Sequence, residues 1–128
     1  MTQPLQNAGF ANLTAAWLAY STLPKYLQWG TGSAAAQSAN ALTTAATEAR
    51  VAGTQTAVTT TITNDTYQSV GTITCAGAGK TITEVGIFDA AGTGSPATGG
   101  NMDIYGSFTG VALNVGESIA FTVKVAFS

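Results

Sequence analysis

A chain of 128 residues fits one domain with a single hydrophobic core. Only 8% of its residues are charged, Ala, Thr and Gly supply 60 of the 128, and the net charge is −2. The four cations (Lys25, Arg50, Lys80, Lys124) are scattered, so the clustered Lys and Arg that neutralise phosphates are missing and no nucleic-acid partner is expected.

The absence of histidine removes the commonest general base, the serine triad and most zinc sites. The single cysteine, Cys75, allows no intrachain disulfide and, within a β-like run, reads as a buried thiol. With so few charges, the outside must be Thr, Ser, Asn, Gly and Ala. That is compatible with plain solubility through small polar groups and equally with a surface made for assembly.

Residues 1–23 form an aromatic-rich N-terminal arm or short helix. Phe10, Leu13, Trp17 and Tyr20 recur at spacings of three, four and three, which places them on one face if 11–21 is helical. Trp and Tyr dominate interface hot spots, so these four are the candidate subunit-interface residues. The apolar stretch from Ala15 to Tyr20 is too short to cross a bilayer, and neither a secretory signal nor a membrane partner is expected. Pro24 ends the segment.

Residues 24–128 read as a β-domain. Lys25 to Gly30 is a strand with Leu27 and Trp29 on one face, and Trp29 is expected in the core. Residues 34–53 carry almost no large apolar residue except Leu42 and are expected as a loop that reaches a partner. Further strands are expected over 54–63, 67–75, 81–88, 102–108 and 111–115. Between them stand the Asn64-Asp65 turn, the Ala76-Gly77-Ala78-Gly79 turn and a mobile tip over 90–101.

The strand over 81–88 is apolar on both faces, with Ile82 and Phe88 on one and Val85 and Ile87 on the other, as suits a central strand covered on both sides. The last strand gives the clearest pattern. Ile119, Phe121, Val123, Val125 and Phe127 alternate with Ala120, Thr122, Lys124 and Ala126, so one face lies on a core. Seven or eight short strands with Gly-rich turns predict an all-β fold, a single jelly-roll-like β-sandwich.

No catalytic, cofactor-binding or metal site emerges. The six carboxylates are dispersed, and Glu84 and Asp89, the nearest pair, point to opposite faces of a strand. Gly77-Ala78-Gly79-Lys80-Thr81 lacks the earlier glycine of a phosphate loop, because Thr74 stands there, and a strand follows rather than a helix.

Three stretches together carry a resemblance. They are Tyr26-Leu27-Gln28-Trp29-Gly30-Thr31-Gly32, Ile82-Thr83-Glu84-Val85-Gly86-Ile87-Phe88-Asp89-Ala90, and Gly99-Gly100-Asn101-Met102 leading through Phe108 to the alternating terminal strand. In this order they resemble the head decoration (cement) proteins of tailed bacteriophages. The resemblance implies a non-enzymatic protein on the outer surface of the phage head. Its implied partners are the major capsid protein and itself, as a homodimer or homotrimer. A phage tail or head-fibre component with a receptor- or glycan-binding role is the alternative, with loop 90–101 as its ligand site.

Overall fold

Runs rich in Val, Ile, Thr and aromatics fit a pleated, half-buried surface, and most of this chain after residue 25 is built that way. In a computed structural model, which describes residues 2–128, the order is α1 (Asn7–Ala19), β1 (Tyr26–Gly30), β2 (Val51–Ala52), β3 (Thr54–Val58), β4 (Thr66–Thr74), β5 (Lys80–Phe88), β6 (Met102–Leu113) and β7 (Ser118–Ala126). The strands form two antiparallel sheets, one ordered β2-β1-β5-β6 and the other β3-β4-β7. Leu27, Trp29, Ile73, Ile82, Ile87 and Phe121 fill the space between them. Full burial of such a side chain contributes roughly 1.5–3 kcal/mol before conformational entropy is subtracted.

The alternation in β7 has the expected consequence: Phe121 is buried, and Ile119 and Val123 pack against the same core. β5 lies inside its sheet, between β1 and β6, and is buried from Glu84 to Phe88. Cys75 is buried, and Trp29 is a core residue at 1% exposure. Helix α1 packs on β3 and β4.

Several expectations are corrected. The helix spans Asn7–Ala19 rather than 11–21. The strand expected over 54–63 stops at Val58, because Asp65 accepts hydrogen bonds from the N–H groups of Thr60, Thr61 and Ile62 at 2.9, 3.1 and 2.9 Å and curls that segment into a turn. The runs over 102–108 and 111–115 are one strand, β6, whose pairing with β5 shifts register between Ile82 and Glu84. That irregularity absorbs Gly110 and also changes the facing. Ile82 joins Val85 and Ile87 in the common core, whereas Phe88 lies outside it beneath the Arg50 guanidinium, 3.5 Å from its ring centroid.

The expected free tip at 90–101 is also tied down. Arg50 donates to the carbonyls of Ala90 and Gly99 at 2.9 and 2.8 Å, Ser95 donates to the Thr47 carbonyl, and the Gln28 amide donates to the Ala97 carbonyl.

Loop 31–50 is likewise held to the sheets, by Glu84, which accepts from the N–H groups of Gly32, Thr43 and Thr44, and by Glu48. Glu48 accepts from the Trp29 indole N–H and the Ala76 N–H, both at 2.9 Å, and pairs with Lys80. Burial pushes this carboxyl up, but Lys80, Ala76 and Trp29 outweigh it and hold the pKa at about 2. For Asp65, burial also pushes up. Donation by Ser128, Ile62, Thr60 and Thr66 overcomes it and holds the group below the usual carboxylate range.

Both folded-state values lie below their unfolded ones. Their contribution is therefore complete above about pH 4.5 and is lost as pH falls through the folded values. Melting temperature should stay level from pH 7 to 5 and drop steeply between pH 4.5 and 2. Scanning calorimetry across that range checks this, and a level profile down to pH 2 would refute it.

Candidate interaction site

Helix α1 has no local reason to be stable. Gln6 at its N-cap makes no side-chain cap, no acid stands in the first turn and no base in the last. Apolar residues lie all round it, a pattern that normally means contact on more than one side. Yet only Thr14 is fully buried, with its hydroxyl donating to the Phe10 carbonyl at 3.3 Å. One side packs on the sheet and the other meets solvent, where Leu13 is 44% and Tyr20 57% exposed.

The packed side is aromatic. The Trp17 ring lies 4.8 Å from that of Tyr67 on β4 and 5.6 Å from that of Phe127, just past β7. The Tyr67 hydroxyl donates to the Pro24 carbonyl, so the linker after α1 is tied to the same cluster. Burial, with the Asp103 carboxylate adding to it, pushes the Tyr67 pKa up to about 12, so this hydroxyl stays a donor across the working pH range. Asp65 fixes the other wall. Its carbonyl accepts from the Phe127 N–H at 3.0 Å, and its carboxylate accepts from Ser128.

Between helix and strand end lies an open apolar groove of about 420 Å³, lined by Leu13, Ala16, Trp17, Tyr20 and Phe127. Of the four residues singled out from sequence, Leu13, Trp17 and Tyr20 therefore come together. Phe10 is half-buried and lies outside this groove. Trp17 does two jobs, because it lines the groove and also anchors the helix. Sequence reading assigned Phe127 to the core through its place in the alternating strand. In the structure Phe127 is only half-buried, which leaves its ring open to the groove.

Among the described residues, no three His, Cys, Asp or Glu side chains are grouped to hold a metal ion. Glu84, as fully buried as Asp65, is engaged by the N–H groups of Gly32, Thr43 and Thr44 and by the Tyr105 hydroxyl. No family model, curated protein or solved structure matches the chain.

Trp17→Ala should lower the unfolding free energy by about 2–3 kcal/mol, somewhat less than the loss of a fully buried Trp. Denaturant titration measures this. A change under about 0.5 kcal/mol would show that the Tyr67–Trp17–Phe127 stack does not hold the helix.

Proposed function

We propose that this protein is a structural subunit of a tailed-phage head, a decoration (cement) protein that binds the outer surface of the shell and stabilises contacts between major capsid subunits. The observation that carries the reading is α1, a helix apolar on all sides that buries one side only and leaves an aromatic groove open on the other. Exposed apolar surface with aromatic anchors is the chemistry of a protein–protein interface. The low charge of the chain and its resemblance to head decoration proteins supply the kind of partner. A jelly-roll arrangement of the strands, and the absence of any catalytic role, belong to this proposal. The four-plus-three layering supports the sandwich part of it.

In this reading, buried area on both partners raises the free energy needed to separate capsid subunits, and symmetry repeats the effect around the shell. Binding to the assembled form alone stabilises it by mass action. The test is cosedimentation of the purified protein with expanded heads that lack it. Saturation at a fixed copy number per shell, with a raised shell melting temperature, is expected. Failure to bind heads, with the protein recovered in the tail fraction, would overturn the reading.

A further inference from the structure

A long, regular sheet edge is a template for another strand, and proteins guard such edges with very short strands, bulges, charges, proline or a covering element. Two sheets have four edges, and three of them are guarded here. β2 has two residues. β3 has five and has α1 packed on it. β6 is long, but its pairing with β5 shifts register on both sides of Ile104–Ser107, which breaks the row of outward N–H and C=O groups into short pieces.

β7 is the exception. It pairs with β4 in unbroken register over its whole length, from Ser118 opposite Thr74 to Ala126 opposite Thr66. It contains no proline and carries one charge, Lys124. The Phe127 N–H donates to the Asp65 carbonyl on the β4 side. The alternation of an antiparallel ladder therefore aims the N–H and C=O groups of Ala120, Thr122, Lys124 and Ala126 at the free side. Among the described residues, no loop backbone bonds to them there. The apolar row of β7 is unfinished as well. Ile119 and Val123 face the core yet are only partly buried, whereas Ile73, in the middle strand of the same sheet, is 2% exposed.

We propose that β7 is a strand-addition site whose occupant is an extended segment of the shell subunit; the inference rests on the decoration reading and gives its mode of docking. Backbone pairing along the edge supplies affinity, and the side chains at alternate positions supply specificity. Three features of the edge define those side chains. Apolar residues at every second position complete the cover over Ile119 and Val123. An acidic residue stands opposite Lys124, which has no ion pair among the described residues. A large apolar residue lies at the end beside Phe127, where β7 runs into the α1 groove lined by Leu13, Trp17 and Tyr20. Edge and groove are then one continuous surface.

A second copy of the chain is a poorer occupant. Full-length antiparallel pairing of β7 with β7 is centred on Thr122 and sets Glu117 of the second copy beside Phe127. That brings a carboxylate to the mouth of an apolar groove.

Hydrogen exchange on the full chain, free and bound to expanded phage heads that lack it, reads the edge directly. The amides of Ala120, Thr122, Lys124 and Ala126 should exchange at least about tenfold more slowly on heads, while the β6 amides that point away from β5 keep their free rates. Thr122→Pro removes the central outward N–H and spares the bonds to β4, which come from the odd-numbered residues. It should weaken head binding by at least about 30-fold. Its melting temperature, taken alone, reports whether it folds, and the exchange measurement needs no variant.

Heads that bind the protein while those four amides exchange as in the free chain would overturn strand addition and leave the decoration reading standing. Protection of the same amides in the free protein at raised concentration would assign the edge to a second copy and overturn it too. Failure to bind heads at all removes the decoration reading, and this inference with it.

Discussion

Glu84→Ala is expected to lower the unfolding free energy by at least about 3 kcal/mol, the largest effect of any single substitution we predict in this chain. The carboxylate is fully buried in the middle of β5, and no ion pair offsets its charge among the described residues. It is satisfied by donors alone: Thr44 N–H at 2.8 Å and Gly32 N–H at 3.3 Å on one oxygen, Thr43 N–H at 3.2 Å and the Tyr105 hydroxyl at 3.0 Å on the other. Glycine at 30 and 32 makes the room, since a Cβ there would come within 2.5 and 2.9 Å of the carboxylate. Alanine at 84 leaves three backbone N–H groups without an acceptor.

Glu84→Gln should cost less, about 1–3 kcal/mol, because one oxygen survives while the new amide N–H₂ faces donors. Tyr105→Phe should cost about 1 kcal/mol, because only one donor leaves. Urea titration of the three variants gives the order Ala, then Gln, then Phe. Equal losses, or a Glu84→Ala loss under 1 kcal/mol, would show that loop 31–44 is held by something else.

That carboxylate marks where sequence reading stops. Position 84 reads as an acid in an otherwise apolar strand, and pattern says only which face it takes. Its backbone partners lie some 40 to 50 residues upstream and are brought to it by the β1–β5 pairing, and Tyr105 comes from β6 downstream. The same holds for Glu48, which links Trp29 to the turn at Ala76. Asp65 is different, because its partners at Thr60 to Ile62 are local, and an Asx-type turn there is legible in principle.

Strands were legible where period two was unbroken, as in β7, and were split or misfaced at the register shift in β6, where Gly110 reads as a breaker and acts as part of an irregularity. The helix start was missed for a plain reason: without a capping side chain at Gln6, nothing in the sequence announces it. The aromatic residues of α1 were legible as a set. That Trp17 turns inward while Leu13 and Tyr20 stay outside depends on Tyr67 and Phe127, which come from the far end of the sheet.

The paired variant Leu13→Ser with Tyr20→Ser is expected to weaken binding to phage heads by at least about 100-fold, while changing the stability of the free protein by less than about 1 kcal/mol. The separation follows from exposure. At 44% and 57% exposed, these two side chains contribute little to the fold, and the serine hydroxyls remain in water. On a shell the same side chains would be the rim anchors of the groove, and their removal would leave Trp17 and Phe127 without cover.

Val70→Ser is the matched control. Val70 is 38% exposed but sits on the outer face of β4, away from the groove. Its loss should leave head binding within about twofold. The three proteins, titrated against expanded heads and melted alone, decide which face is used. Loss of binding only in the paired variant assigns the shell contact to the α1 groove. Loss only in Val70→Ser would move it to the threonine-rich outer face of the three-stranded sheet. If all three bind alike, α1 has no part in docking and its exposed apolar side needs another partner.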